Sequence, residues 1–330
     1  MDLGIAGRKA IVCASSRGLG LGCAKALAEA GCEVVINGRD EAKLAEAAAL
    51  LGKTGAKIIP VIADVATPEG QKKLFAALPE PDILVNNNGG PPLKDFRELT
   101  RQAMIDGVTA NMIVAIELIQ KTIDGMAARK FGRIVNITSS SVKAPLPGLD
   151  LSSGARAGLT AFLAGVARTV ADKNVTINFL LPGPFDTDRL RSGIENAAKK
   201  QNISFEQARA ARMATTPAKR FGTTEEFGAA CAFLCSSQAG FITGQNLLLD
   251  GGAIARAVND FATSSSALFL ALPLSCASAL FSLAWPWPSS LRRSSFSLPT
   301  PSISSRTFSI SFFPPPCAPW LSWPCPLSSW

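Results

Sequence analysis

Residues 14–20 form a glycine-rich turn between an apolar strand-like run and an amphipathic helical run. Such a turn lets backbone N–H groups approach a phosphate at the positive end of the helix dipole. The residues that we assign to this contact are Ser15, Ser16, Arg17, Gly18, Leu19 and Gly20. The spacing therefore predicts a site for the pyrophosphate of a nucleotide.

Further candidate residues follow three later strand-like runs, where the carboxyl ends of parallel strands would meet. They are Asp64 and Val65 after the third run, Asn87 and Gly89 after the fourth, and Pro182, Gly183 and Thr187 after the sixth. Ligands of open α/β sheets bind at that edge. Their coincidence with the glycine-rich turn favours a nucleotide site over four unrelated turns.

The charge after the second strand-like run indicates which nucleotide. Sites for NAD usually place an acid there to hold the ribose 2′-hydroxyl. Here the run ends at Asn37 and is followed by Gly38 and Arg39, and Arg17 lies in the first loop. Two guanidiniums suit a 2′-phosphate through charge-assisted hydrogen bonds. We therefore expect NADP(H), against the alternative that Arg39 only begins a solvated helix.

The absence of two residue types narrows the chemistry. The 330 residues contain neither histidine nor tyrosine, which excludes Ser–His and Cys–His nucleophilic pairs and the common histidine metal sites. Cys231 and Cys235 share a helix face, but no second cysteine pair has ligand spacing. We interpret the cysteines as buried small hydrophobes in a reducing compartment and expect no metal.

These residues need a scaffold, and the apolar pattern supplies one. Seven short runs rich in Val, Ile or Leu cover residues 9–14, 33–37, 57–62, 83–86, 133–137, 176–181 and 246–249. Helical runs cover residues 19–30, 41–51, 68–77, 101–128, 152–171 and 224–235. Apolar strands alternating with helices predict a parallel sheet covered on both faces. We predict a single doubly wound Rossmann-type α/β domain with a seven-stranded parallel sheet, and a substrate-side insertion or lid over residues 184–220.

Over residues 5–252 the chain resembles the short-chain dehydrogenase/reductase family, and it looks closest to the 3-oxoacyl-(acyl-carrier-protein) reductase-like members. The glycine motif, the Asn-Asn-x-Gly segment and the Pro-Gly turn carry this resemblance, and residues 242–245 and 250–252 are similar to the family's ending. Two residues depart from the pattern. Ala14 stands at the first glycine of the motif, and Asn88 replaces its alanine. An alanine is tolerable at residue 14 only if the turn keeps φ negative there.

In that family a serine, a tyrosine thirteen residues later, a lysine four residues beyond it and an asparagine from an earlier helix form the active site. The resemblance places these roles at Ser139, Ser152, Arg156 and Asn111. The serine and the asparagine match, whereas the tyrosine and the lysine do not. A serine hydroxyl is a much weaker acid than a phenol, and an arginine keeps its proton at working pH.

Two functions remain open from this site. The first is an NADP(H)-dependent oxidoreductase that reduces a carbonyl, 3-oxoacyl-like substrate, with a water between Ser139, Ser152 and Arg156 as the proton source. Lys143 and Asp150 are the nearest other donors. The second is a nucleotide-binding protein without turnover, acting as a sensor or an oligomer partner.

The resemblance also implies partners: a small molecule or acyl thioester as substrate, and a homodimer or homotetramer. Cations of the lid could favour an acidic acyl carrier or a coenzyme A thioester, although a solvated face is the commoner meaning of such a run. They are Arg189, Arg191, Lys199, Lys200, Arg209 and Arg212. The basic residues behind the net charge of +8 are not grouped in a stripe. We therefore expect that the protein does not bind nucleic acid.

The composition changes after about residue 256. From residue 261 there is no acidic residue, while all five tryptophans and half of the 22 prolines lie there. We predict a nucleotide-binding domain over residues 1–256 and a low-complexity, unstructured or read-through tail over residues 257–330. Residues 267–285 are the only candidate membrane anchor. An anchor accounts for less of the tail's unusual composition than a foreign extension does. No signal peptide is visible, and we expect a cytoplasmic protein.

Overall fold

The computed structural model describes residues 2–91 and 93–254. Seven strands form one parallel sheet in the order β3-β2-β1-β4-β5-β6-β7. Their bounds are β1 Lys9–Val12, β2 Glu33–Gly38, β3 Ile58–Ile62, β4 Ile83–Asn86, β5 Gly132–Ile137, β6 Val175–Pro182 and β7 Asn246–Leu249. The chain order reverses between β1 and β4, which is where doubly wound sheets bind their ligands. The predicted fold class is confirmed.

Ten α-helices connect these strands within the described residues. They are α1 Gly18–Glu29, α2 Glu41–Gly52, α3 Pro68–Ala77, α4 Arg101–Val108, α5 Val114–Gln120, α6 Ile123–Ala128, α7 Asp150–Thr169, α8 Asp188–Gln201, α9 Phe205–Ala214 and α10 Thr224–Cys235. Short 3₁₀ turns cover Phe96–Glu98, Ser140–Val142 and Ala171–Lys173. The predicted continuous helix over residues 101–128 is wrong in detail, because a π-helical turn at Thr109–Ile113 separates α4 from α5 and residues 121–122 separate α5 from α6.

Strand residues alternate between two apolar layers, which explains why the strands read as nearly continuous apolar runs. Val12 and Val34 pack in one layer with residues of α1, α2 and α10. Ile11 and Val35 pack in the other with residues of α3, α5 and α7. All four side chains are fully buried. The carboxyl edge of the sheet is therefore held from both sides.

The first and last helices cross closely. A side-chain carbon at Gly22 of α1 would overlap the carbonyl of Thr224, and one at Gly228 of α10 would overlap the carbonyl of Gly22. Glycine is thus required at this crossing because the backbones touch. Ser237 N also donates to Leu3 O at 2.9 Å. These contacts fix α1, which carries the glycine-rich turn, against the end of the domain.

The predicted lid region contains two helices, α8 and α9. They share a small apolar cluster of Ile194, Ala198, Ala208 and Phe221. A single bridge between Phe185 and Gly222 joins the two ends of the segment. The polar segment that contains α8 and α9 therefore forms a separate layer with its own small apolar core.

One helical stretch among the described residues, Arg101–Gln120, has the length and apolar composition of a membrane-spanning helix. Within the domain it packs against α7. The tail boundary predicted after residue 256 and the candidate anchor at residues 267–285 lie outside the described residues.

Candidate active site

The glycine-rich turn leads directly from β1 into the amino terminus of α1. Arg17 is the N-cap residue with extended backbone angles, and no side chain caps the helix. A side-chain carbon at Gly20 would overlap the carbonyl of Ala14 and approach Asn87 Nδ2 at 2.9 Å. The N–H groups at the start of α1 are therefore uncapped, and Gly20 leaves space beside them. Such N–H groups are suited to bind a phosphate.

Ser15 differs from the other residues assigned to this turn. It is fully buried, its N–H donates to Asn37 O at 2.9 Å, and its hydroxyl donates to Val12 O at 2.6 Å. Asn37 N in turn donates to Ser15 Oγ at 3.0 Å. The serine therefore ties the turn to β2, which leaves the amides of the following residues for a ligand.

Ala14 does not meet the expectation of a negative φ. Its φ is +45°, in the left-handed region. Two asparagines hold the residue in place: Ala14 N donates to Asn37 Oδ1 at 2.6 Å, and Asn87 Nδ2 donates to Ala14 O at 3.1 Å. The left-handed conformation costs a residue with a Cβ roughly 1–2 kcal/mol. The surrounding hydrogen bonds thus maintain a strained turn where the motif has glycine.

Both arginines assigned to the nucleotide lie at the carboxyl edge. Arg17 is 3.6 Å from Asp188, and Arg39 is 3.5 Å from Asp64. The Arg17 and Arg39 side chains are 63% and 80% exposed. Ion pairs this exposed contribute little to stability. The guanidiniums can therefore exchange these partners for a phosphate at small cost.

Other residues assigned to the nucleotide surround the same edge. Val65 is buried beneath the loop after β3, and Gly183 N donates to Leu249 O at 2.8 Å. Thr187 caps α8 through Leu190 N, and its methyl group would lie 3.7 Å from a side-chain carbon at Gly18. The turn after β6 and the glycine-rich turn are therefore neighbours. Pro182 ends β6, and Gly89 N donates to the side chain of the residue before it.

The residue that replaces the motif's alanine connects two parts of the site. Asn88 Nδ2 donates to Ala110 O at 3.1 Å, within the π-helical turn. Asn111, in the same turn, is 5% exposed and donates through Nδ2 to Gly107 O at 3.1 Å. The wider π turn leaves main-chain carbonyls available to side-chain donors. This contact is a role for Asn88 that an alanine could not fill.

Ser152 and Arg156 lie one helical turn apart on α7 and contact each other. Arg156 Nε donates to Ser152 Oγ at 3.2 Å, and Nη1 donates to Ile137 O at the end of β5 at 2.7 Å. Ser139 follows β5 two residues later, and its Oγ accepts from Ser141 N and Oγ. The structure thus brings Ser152 and Arg156 into contact at the strand end from which Ser139 follows.

Arg156 is a buried cation. It is 9% exposed, and its two protein acceptors are uncharged. Desolvation by burial, with a smaller contribution from the charge of Arg189, lowers the pKa of Arg156 to about 10. The guanidinium therefore still carries its proton at neutral pH.

Beside Arg156 lies a small cavity of about 20 Å³, which Asn86, Asn88 and Asn111 also line. The Oδ1 atoms of Asn86 and Asn111 are buried and lack a hydrogen-bond partner among the described residues. A volume above roughly 10–15 Å³ with two to four polar partners holds a water molecule. The cavity is suited to one water that donates to these oxygens.

Several polar residues around the site were missed from the sequence. Asn86 Nδ2 donates to Asn136 Oδ1 at 2.9 Å, and Asn136 Nδ2 donates to Asn178 O at 3.3 Å. This chain of buried amides crosses β4, β5 and β6. An asparagine inside the fourth and the fifth apolar strand-like runs was the available signal, whereas the contact on β6 is a main-chain carbonyl. Arg189 was predicted only as a lid cation, yet it donates to carbonyls of the loop after β4.

Comparison with known proteins shows the family of the chain. A family profile described as enoyl-(acyl carrier protein) reductase matches residues 13–253. The chain belongs to the short-chain dehydrogenase/reductase family of oxidoreductases. It is 30% identical over 253 residues to the NADPH-dependent reductase BacG of Bacillus subtilis (strain 168), covering 75% of this chain and 98% of the relative.

Two further relatives extend the comparison. The 3-oxoacyl-[acyl-carrier-protein] reductase FabG of Escherichia coli (strain K12) is 31% identical over 247 residues, which cover 74% of this chain and 97% of FabG. The L-sorbose reductase of Gluconobacter frateurii, solved with NADPH and L-sorbose, has a TM-score of 0.74 and 29% identity, with 78% of this chain and 100% of that chain covered. The short-chain dehydrogenase/reductase fold thus spans the described domain.

Proposed function

We propose that the protein is an NADP(H)-dependent reductase of a carbonyl, 3-oxoacyl-like substrate. The uncapped amino terminus of α1, with Arg17 and Arg39 exposed at the same edge, carries this proposal. The helix start suits the pyrophosphate, and the guanidiniums suit the 2′-phosphate. A relative named as an NADPH-dependent reductase and a similar structure solved with NADPH support the same cofactor.

When bound, NADPH supplies a hydride to the carbonyl carbon, and the carbonyl oxygen must gain a proton. We assign that proton to water, because the chain has no tyrosine. The guanidinium of Arg156 stabilises negative charge that develops on the oxygen, and Ser139 and Ser152 orient the water. Asn111 donates to Gly107 O and so helps to hold the π turn beside Arg156. The products are the alcohol, NADP⁺ and a hydroxide that buffer neutralises.

A second function is a nucleotide-binding protein without turnover. Our assignment of Arg156 to the position of the family's lysine favours it, since a cation that stays protonated cannot relay a proton. Binding of NADPH without its oxidation would support this alternative.

Stopped-flow measurement of NADPH oxidation distinguishes the two functions. The substrates are acetoacetate, methyl acetoacetate and acetoacetyl-CoA, and NADPH binding is measured separately by fluorescence. We expect binding and oxidation with at least one of the three. Binding without oxidation by any of them would reject the reductase and favour the alternative.

The double change Ser152→Tyr with Arg156→Lys tests the assignment of these positions. We expect it to raise ketone reduction by roughly 10²–10⁴, the usual effect of a positioned acid. Either change alone should do little, because the phenol needs the ammonium to lower its pKa. NADPH binding must persist in every variant. A fast wild-type rate that the double change reduces would show that the native site has its own acid, with Lys143 and Asp150 the next candidates.

We further propose a cytoplasmic homodimer or homotetramer. Helices α4 and α7 and the π turn between α4 and α5 carry exposed apolar side chains that support this assembly. They are Ile105 and Phe162, together with Ile113 of the π turn. Sedimentation of the purified protein as a monomer at micromolar concentration would reject it.

A further inference from the structure

The charge of Arg156 has no partner in the protein. Of the five N–H donors of a guanidinium, one donates to Ser152 Oγ and one to Ile137 O. No carboxylate among the described residues forms an ion pair with it, although the side chain is about nine-tenths buried. An unpaired buried charge is costly, and proteins rarely keep one unless it binds something.

A second guanidinium lies beside the same loop. Arg189 Nη1 and Nη2 approach Gly90 O and Pro91 O at 3.4 and 3.3 Å. Asn88, two residues before Gly90, lines the cavity beside Arg156. The positive charge of Arg189 adds, after desolvation, to the lowering of the pKa of Arg156. Neither arginine has an acidic partner among the described residues, and so the cleft here is positively charged at its base and at its rim.

We propose that Arg156 and Arg189 bind the carboxylate of the substrate, which is therefore an oxo acid rather than a neutral ketone or thioester. This proposal rests on the proposed reductase function and narrows its substrate class. The carboxylate of a 3-oxo acid, one CH2 group away from the carbonyl, would accept the free N–H donors of Arg156. The phosphates of the nucleotide are assigned to the start of α1, and so they do not neutralise Arg156.

The occupant is a carboxylate because of the geometry of the donors. A planar guanidinium presents parallel N–H groups that match the two oxygens of a carboxylate. Arg156 fixes this group deep in the cleft, and the exposed Arg189 contributes attraction at the entrance. Hydrogen bonds to a charged group each strengthen binding by about tenfold or more.

Isothermal titration of the full chain saturated with NADP⁺ tests the proposal without turnover. The probes are acetoacetate and its neutral methyl ester. We expect the Kd of acetoacetate to be lower by about tenfold or more. Arg156→Gln should abolish this preference, Arg156→Lys should keep part of it, and Arg189→Gln should reduce it. Arg168→Gln, which changes an exposed arginine on the same helix as Arg156, is the matched control and should leave the preference intact.

Stability separates a binding role from a structural one. Arg156→Gln removes a buried charge and keeps a donor, and so its melting temperature should equal or exceed that of the wild type. Equal Kd values for acid and ester, or a preference that survives Arg156→Gln, would overturn the proposal. Reduction of the ester or of acetoacetyl-CoA but not of acetoacetate would also overturn it while leaving the reductase function intact. Tight binding of acetoacetate without any NADPH oxidation would support the anion site and reject turnover.

Discussion

At the scale of single residues, the nucleotide turn depends on an alanine in a conformation that favours glycine. Ala14 has a φ of +45°, and its N–H and C=O are both bonded to asparagine side chains. Asn37 also donates to Ala63 O, which joins this turn to the end of β3. The backbone strain is thus held by a buried network that crosses from β1 to β2 and β3.

Ala14→Gly should stabilise the domain by about 1 kcal/mol, because glycine adopts positive φ without strain. Urea unfolding measures the change. Ala30→Gly is the matched control, since Ala30 ends α1 with a φ of −80°. That variant should be neutral or less stable than wild type. Equal destabilisation by both changes would show that the strain at Ala14 is negligible.

Arg39→Asp should remove the preference for NADPH over NADH. The wild type should prefer NADPH by about tenfold or more, since charge-assisted bonds contribute roughly 1.5–3 kcal/mol each. Fluorescence titration of both nucleotides measures the ratio. Lys173→Asp makes the same charge change before β6, at the opposite edge of the sheet, and should leave the ratio unchanged. Equal dissociation constants in the wild type would contradict the assignment of Arg17 and Arg39.

The positions of the site residues could be predicted from the sequence, but their partners could not. Spacing placed Ser152 and Arg156 one turn apart on a helix, and the contact between them follows from that geometry. The bond from Arg156 to Ile137 O depends on how α7 packs on the sheet. The burial of its charge and its proximity to Arg189 depend on the same packing. Local pattern carries no information about such contacts.

At the scale of elements, the strands were predicted to within one or two residues because both faces of the sheet are buried. The helix over residues 101–128 was predicted less well. A π-helical turn contains one more residue than an α-helical turn. The apolar residues before and after it follow the same helical period, and so the sequence pattern does not reveal it. The turn at Thr109–Ile113 contains Asn111, and Asn88 donates into it from the loop after β4. The π-helical turn is therefore marked by a tertiary contact, which the local sequence does not show.

The stability of the start of α10 has the clearest dependence on pH. Glu226 and Thr223 form a capping box, and Arg220 pairs with Glu226 through two hydrogen bonds. The bond from Arg220, followed by the bond from Thr223 N, lowers the pKa of Glu226 from 4.5 to about 2. A lowered pKa favours the folded state above pH 4.5, and that stabilisation is lost as the pH falls towards 2.

Glu226→Gln should therefore lower the melting temperature at pH 7, and its difference from wild type should shrink between pH 4.5 and 2. Thermal unfolding monitored by circular dichroism across this range measures both effects. Glu46→Gln, on the exposed face of α2, is the control and should show neither. A difference that stays constant with pH would show that the carboxylate charge is not what stabilises the start of α10.

At the scale of the whole molecule, the described domain holds every residue that we assign to the site. The sequence beyond residue 256 has no acidic residue from residue 261 and no sustained apolar period. A sheet already covered on both faces offers it no further apolar layer. We therefore predict that the tail adds nothing to the stability of the domain.

Truncation after Arg256 should leave the melting temperature and NADPH affinity unchanged. Differential scanning calorimetry and fluorescence titration measure these two quantities on the truncated and full-length chains. Unfolding of the truncated protein, or loss of nucleotide binding, would contradict the prediction. Partitioning of the full chain alone into lipid vesicles would instead favour the anchor at residues 267–285.

The crossing of α1 with α10 has a consequence for how the protein is made. During translation α1 leaves the ribosome early, but the surface that covers Gly22 is synthesised some two hundred residues later. The hydrogen bond to Leu3 O likewise cannot form until Ser237 has been synthesised. Because contacts this distant in sequence form slowly, the nascent chain exposes one apolar layer of its sheet until α10 emerges. We therefore expect the domain to complete its fold near the end of its own synthesis, when α10 covers a surface that favours aggregation while it is exposed.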